Sequence, residues 1–383
     1  MINYEPYARQ FITKEDKSSV LKVLGSNFLT TGPEVKNFEN DLKKKFKSKY
    51  AVVVNSATSG LHLSCLALGL KAKDYLWTTP ISFVASSNCG LLCDAKIDFI
   101  DIDKDDFNLS IQELEKKLKN NVSKKKLPKI VVVVHLSGNP AKMKSIKILS
   151  KKYNFKIIED ASHASGSRFG ENPIGSCKYS DVTVLSFHPV KIFTTGEGGA
   201  ILTNSKKIYE RALLLRNQGI VRKKFNLNNS NFKPWFYDVS ELGYNYRLTD
   251  IQSALGRSQL KKIDYFIKKR NEIANFYKKN LFKKIKFQKI TEDCYSSYHL
   301  FIIRVPRAIR DDINKKLYKN KFITSLHYIP IYRHQLYKKF NFKKSYFTES
   351  ENYYKEAISL PMHYNLNYKK LKKIISIVNS FFI

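Results

Sequence analysis

Long hydrophobic runs are absent from this 383-residue chain. A membrane-spanning helix needs roughly 20 consecutive apolar residues, so a spanning segment is excluded. The start, Met1-Ile2-Asn3-Tyr4-Glu5-Pro6, lacks the basic-then-apolar pattern of a secretory signal. Cysteine is scarce: five in a chain of this length do not make a disulfide scaffold. The expectation is a reduced, cytoplasmic protein. Cys89 and Cys93, spaced i, i+4, could share a helix face, but two ligands without further Cys or His in pattern do not make a zinc site. Buried free thiols and no metal are expected.

Acidic residues are few as well. Lys and Arg number 68 against 33 Asp and Glu, a net charge of +35. Such a charge suits an acidic partner, either nucleic acid or a phosphorylated substrate. The competing explanation is a lysine-heavy composition spread over solvated surface. The lysines occur in pairs and triplets along the chain, such as Lys43-Lys44-Lys45 and Lys124-Lys125-Lys126, with no zinc-finger or RNA-recognition signature. The compositional explanation is preferred, and no nucleic-acid partner is expected.

Glycine is missing from one part only. All fifteen glycines lie between Gly25 and Gly256. That shift divides the chain into a turn-rich large domain, residues 1–256, and a smaller α/β domain, residues 257–383. The Asn- and Lys-rich stretch from Arg222 to Lys233 reads as a polar surface loop. Within the first part, short apolar runs alternate with helical patterns. Tyr50–Val54 precedes a helical Leu61–Leu70, Ile130–Val134 is a bare β-branched run, and Val182–Phe187 and Ala200–Thr203 flank a glycine-rich turn. This alternation predicts an α/β fold with a mostly parallel central sheet covered by helices. The second part predicts strands near Tyr298–Val305 and Phe322–Ile329, a helix near Ile309–Lys319 and a helical C-terminus.

Three segments carry chemistry. Asn55-Ser56-Ala57-Thr58-Ser59-Gly60 places small and hydroxyl residues between a strand and a helix, where free backbone N–H groups and the helix dipole favour an anion. The plainer alternative is a helix N-cap by Thr58 or Ser59. Ile157-Ile158-Glu159-Asp160-Ala161-Ser162-His163 ends an apolar run in two carboxylates at a strand end, which in a parallel sheet opens into the ligand crevice. Asp160 could neutralise a cationic ring nitrogen with His163 beside it, or the acids could simply be solvated. In Ser186-Phe187-His188-Pro189-Val190-Lys191 followed by Gly196-Glu197-Gly198-Gly199, one lysine sits among mostly uncharged neighbours ahead of a tight turn. A desolvated lysine is partly neutral and can form a Schiff base. An anion cup, a carboxylate for a ring nitrogen and a lysine for an aldehyde are what pyridoxal 5'-phosphate requires.

These motifs resemble the DegT/DnrJ/EryC1/StrS sugar-nucleotide aminotransferases, a family within the fold-type-I pyridoxal-phosphate enzymes. The resemblance extends from Gln10 to Ser359-Leu360-Pro361. It implies Lys191 as the Schiff-base and proton-shuttling lysine and Asp160 as the partner of the pyridinium nitrogen. It implies His163 near the cofactor's phenolic oxygen, Ala57, Thr58 and Ser186 in the phosphate cup, and Phe83 stacked on the ring. Gly243-Tyr244-Asn245-Tyr246-Arg247 matches a segment whose asparagine reaches the phosphate of the neighbouring subunit, which implies a homodimer with shared active sites. Thr79-Pro80-Ile81-Ser82-Phe83-Val84-Ala85-Ser86-Ser87-Asn88, Asp160-Ala161-Ser162-His163-Ala164, Val190 before Lys191, and Ser325-Leu326-His327-Tyr328-Ile329-Pro330 resemble the pseudaminic-acid branch of the family. That branch implies L-glutamate as donor, a UDP-linked 4-keto-6-deoxy sugar as acceptor, and His327 near the sugar. Relatives acting on legionaminic-acid, bacillosamine or perosamine precursors share the lysine and aspartate motifs, so the sugar stays open. His62, His135, His299, His334 and His363 belong to no recognisable constellation, although His135, at a strand end, could face the crevice.

Overall fold

The computed structural model describes residues 4–222 and 235–382. One sheet has seven strands: Tyr50–Val54 (β1), Tyr75–Thr78 (β2), Lys96–Phe99 (β3), Ile130–Val134 (β4), Lys156–Asp160 (β5), Val182–Ser186 (β6) and Gly199–Thr203 (β7). Their order across the sheet is β1-β7-β6-β5-β4-β2-β3. The five strands from β6 to β3 pair in parallel, while β7 runs antiparallel to both β6 and β1. Every residue of β4, β6 and β7 is buried, as apolar strands covered on both faces must be.

Alternation along the strands supplies both faces. Val52, Val132 and Val184 pack with the helix Ala57–Ala67. Ala51, Val53 and Leu185 face the other way, against Phe38 and Phe46 of the helix Pro33–Phe46. Val131 and Val133 meet Leu114 and Ile146 of the helices Ile111–Asn121 and Met143–Tyr153. The edge strand β3 is blocked to further pairing: Lys117 donates to the Phe99 carbonyl at 2.7 Å and pairs with Asp98 at 2.6 Å.

A three-stranded antiparallel sheet follows, Lys286–Phe287 (β8), Phe301–Arg304 (β9) and Ala357–Leu360 (β10). The helices Arg307–Lys319 and Tyr368–Asn379 share its core. The helix Ile263–Asn280 begins shortly after the expected division at Gly256. Its Ile263 and Phe266 belong to the large core, its Ile273 and Tyr277 to the small one. Phe342 and Phe347 return to pack on Phe99 of β3.

Two local expectations change, and a third goes untested. Phe322–Ile329 is not a strand. It makes single bridges, Phe322 with Glu5 and Ser325 with Ser359, because the N-terminal arm meets its start and His327 turns into the cavity wall. Cys93 lies beyond the end of the helix Ala85–Leu91, so it does not share a helix face with Cys89, and both are buried free thiols. Of the loop expected at Arg222–Lys233, all but Arg222 lies outside the described residues. Among the described residues, no helix is long and apolar enough to cross a membrane, and no cluster of His, Cys, Asp and Glu could hold a metal ion.

Candidate active site

A cavity of about 680 Å³ opens at the C-terminal ends of the parallel strands. Its wall includes Ala57, Thr58, Phe83, Asp160, His163, Ser186, Lys191 and His327. Asn245 is not in that wall. It is exposed and pairs with Asn217 in an isolated bridge.

One end is built from backbone. Helix Ala57–Ala67 is capped by Ser56, whose hydroxyl accepts from the Ser59 amide at 3.1 Å. Ser59 in turn donates to Asn55 Oδ1 at 2.6 Å. The cap is therefore Ser56, not Thr58 or Ser59 as the sequence suggested. Thr58 keeps its hydroxyl exposed, and the amides of Ala57 and Thr58 are first-turn donors that no intrahelical carbonyl can serve. Gly199, at the start of β7, sits directly behind this turn. A Cβ there would lie 2.6 Å from the Ala57 nitrogen, so strand and helix end can approach this closely only with glycine. Ser186, at the end of β6, is buried beside them.

The other end is built from side chains. Asp160 is buried at the end of β5. Its Oδ1 accepts from the Ser162 amide at 3.2 Å and the Ser162 hydroxyl at 2.6 Å, and its Oδ2 accepts from Ser86 at 2.6 Å. The adjacent Glu159 points through the opposite face, as strand alternation requires. It meets His135 Nε2 at 2.8 Å and Thr183 at 3.0 Å. Only one of the two carboxylates reaches the cavity, neither is solvated, and His135 faces away from it.

His163 is buried with its ring state fixed by neighbours. Nδ1 accepts from the Ser137 amide at 3.2 Å, so the hydrogen resides on Nε2, 2.9 Å from the Tyr328 hydroxyl oxygen. Burial, then the Lys191 charge, then His327 hold its pKa well below the usual imidazole value. His299, which the sequence tied to nothing, lies with its ring 4.4 Å from that of His163 and is likewise held neutral, first by burial. His327 bonds Ser359 through Nδ1 at 2.9 Å, and burial pushes its pKa down to about 3. Lys191 is half-buried. Desolvation of its amine lowers the pKa to about 8, with the Asp160 charge pulling partly back. Phe83 is 58% exposed, its ring 6.2 Å from that of Tyr328, so an aromatic face is open to the cavity.

Ser56, Ser86, Tyr328 and His299 are site residues that sequence reasoning missed. The i, i+4 hydroxyls of Ser82 and Ser86 were a usable signal for one of them. Tyr328 stood beside His327 in a motif of the resemblance but with no role of its own, and His299, from the far part of the chain, had no signal.

The donor set fits one cofactor. Backbone amides stand ready for a phosphate, a buried carboxylate for a ring nitrogen, and a partly neutral lysine in the same cavity for an aldehyde. Together with the seven-stranded sheet, this defines a pyridoxal-phosphate-dependent aminotransferase of fold type I. The chain belongs to the DegT/DnrJ/EryC1/StrS aminotransferase family, whose sequence profile matches residues 10–379. It is 39% identical over 371 residues, 96% of this chain and 94% of the relative, to a UDP-4-amino-4,6-dideoxy-N-acetyl-beta-L-altrosamine transaminase of Campylobacter jejuni. Helicobacter pylori PseC, an aminotransferase involved in the biosynthesis of pseudoaminic acid, superposes with a TM-score of 0.90 at 34% identity, covering 99% of both chains. Spr1654 of Streptococcus pneumoniae, described as a sugar aminotransferase, is solved in PLP and PMP forms. Their TM-scores are 0.87 and 0.88 at 25% and 26% identity, each covering 99% of this chain and 98% of that one. The protein is thus a sugar aminotransferase, and pyridoxal 5'-phosphate is its cofactor.

Proposed function

We propose that the protein transfers the amino group of L-glutamate to C4 of a UDP-linked 2-acetamido-2,6-dideoxy-4-hexulose, in the manner of pseudaminic-acid-type nucleotide-sugar biosynthesis. The observation that carries the chemistry is Lys191, with its lowered pKa, in one cavity with Asp160 and the Ala57–Thr58 turn. The choice of sugar rests on the likeness to the Campylobacter and Helicobacter enzymes.

When bound, pyridoxal phosphate supplies an electron sink for negative charge at the carbon bearing the amine. The residues do the rest. The Ala57 and Thr58 amides, with the hydroxyls of Thr58 and Ser186, bind the phosphate. Asp160 holds the ring nitrogen's proton, Phe83 stacks on the ring, and His163, its one ring hydrogen directed at the Tyr328 hydroxyl oxygen, lies near the phenolic oxygen. Lys191 anchors the cofactor. Once free, its neutral amine takes the proton from the α-carbon of glutamate and later delivers one to C4 of the sugar. His327 lines the sugar's side of the cavity. Asn245 serves the phosphate of the second subunit in a homodimer. In support of such an interface, Trp235 and Leu242 on the same stretch are 72% and 81% exposed.

The test is the visible absorption of the purified protein before and after glutamate. A yellow band that fades with glutamate, and returns only when the UDP-linked 4-ketone is added, is the expected result. Return of the band with a 4-keto sugar of another configuration instead would replace the substrate and keep the chemistry. A protein that takes up no pyridoxal phosphate would overturn the reading.

A further inference from the structure

Around Asp160 the direction of each hydrogen bond can be worked out. A carboxylate only accepts, so Ser86, 2.6 Å from Oδ2, spends its hydrogen there. Ser82 Oγ lies 2.7 Å from Ser86 Oγ. With the Ser86 hydrogen committed, Ser82 must be the donor in that pair. The chain therefore runs one way, from Ser82 in the cavity wall through Ser86 to Asp160. Ser86 is wholly buried on the helix Ala85–Leu91, and Ser82 stands one turn before it.

A carboxylate has about four acceptor positions, two on each oxygen. Among the described residues, Oδ1 has two donors, the amide and the hydroxyl of Ser162, while Oδ2 has only Ser86. The remaining position is on Oδ2. A ring N–H arriving from the cavity is directed to the oxygen that Ser86 anchors.

Resting on the aminotransferase reading above, we propose that Ser86 is a positioning residue. It fixes Oδ2 of Asp160 toward the cofactor's ring nitrogen, with Ser82 locking its rotamer. Ser162 holds the other oxygen and bears on the ring nitrogen less directly.

The experiment uses the holoenzyme and its Ser86→Ala, Ser82→Ala and Asp160→Asn variants, with Ser86→Ala also made in the Asp160→Asn background. Three quantities are read: the visible spectrum of bound cofactor, its release rate on dilution, and kcat separately from KM for glutamate. Ser86→Ala should shift the band, lower kcat with KM little changed, and speed release at least about tenfold, the scale of one lost hydrogen bond to a charged group. Ser82→Ala should act in the same direction and less, and it stands in should Ser86→Ala not fold. In the Asp160→Asn background, Ser86→Ala should change release and spectrum no further. An unaltered spectrum and release rate in folded Ser86→Ala would overturn the proposal alone. So would an equal effect with and without the Asp160 carboxylate. Failure of the unmodified protein to take up pyridoxal phosphate would overturn the aminotransferase reading, and this one with it.

Discussion

The two ends of the cavity are made of different material. At one end the functional groups are backbone amides, held by a helix cap and by the close approach of a glycine. At the other they are side chains, of which Asp160, His163 and His327 are buried and held by other side chains or an amide. A backbone site depends on where the chain runs and tolerates many side chains. A side-chain site depends on the identity of each group and its partner. Damage at the first end should therefore appear first as lost cofactor, and damage at the second first as lost rate, with faster cofactor release beside it.

Four changes test this contrast. Lys191→Ala should leave no measurable turnover while the protein still binds pyridoxal phosphate non-covalently, read by equilibrium dialysis. Loss of binding along with turnover would mean the phosphate end cannot hold the cofactor unaided. Asp160→Asn should lower kcat roughly 100-fold, the scale of one preorganised electrostatic contact, with only modest loss of cofactor. Full activity in that variant would remove Asp160 from the ring nitrogen.

Gly199→Ala should do the reverse. The added methyl, 2.6 Å from the Ala57 nitrogen, must push strand and helix end apart, at a cost of about 1–3 kcal/mol. Cofactor affinity and melting temperature should fall, while kcat at saturating cofactor stays near that of the unmodified enzyme. A selective fall in kcat would blur the distinction between the ends.

The smallest effect concerns protons. With its pKa near 8, Lys191 is about one-tenth neutral at pH 7. The rate at which cofactor-free protein captures pyridoxal phosphate should rise through pH 8 and level off above it. A rise continuing toward pH 10.5 would show a solvated lysine. The histidines act oppositely. His163, His299 and His327 are held neutral in the fold, whereas the unfolded chain protonates near 6.5. Their contribution to stability is present above pH 6.5 and is lost as pH falls below it toward the folded values. Melting temperature should drop over that range, and less so in His327→Asn.

The same contrast explains what could be read in advance. The cup was legible because a strand, a run of small hydroxyl residues and a helix follow one another within Tyr50–Leu70. Lys191 stood out from the other lysines through its uncharged neighbours and the glycines after it. Asp160 was legible as a strand end, but Glu159 beside it was not separable without knowing which face of β5 meets the cavity. Ser56 lost to Thr58 and Ser59 as the expected cap because the helix begins earlier than its apolar pattern. The contacts of Tyr328 and His299 with His163 were invisible, since a hydrogen bond or ring contact across so much intervening chain leaves no local pattern. The strand expected at Phe322–Ile329 failed for the same reason: Phe322 bridges the N-terminal arm at Glu5 and packs in the small core, while His327 and Tyr328 line the cavity.

The antiparallel strand β7 has a consequence for synthesis and folding. β1 is made early, but among the described residues its strand partner is β7, the last strand of its sheet to be made, and its Val54 also bridges the later Arg247. The helix turn proposed to bind phosphate therefore stays unbacked until Gly199 arrives, after Lys191 has already emerged. Closure of that pair is a long-range event, and long-range pairing is slow. A nascent chain interrupted before β7 would carry the lysine but no finished cup, so uptake of the yellow cofactor would mark the moment the sheet closes.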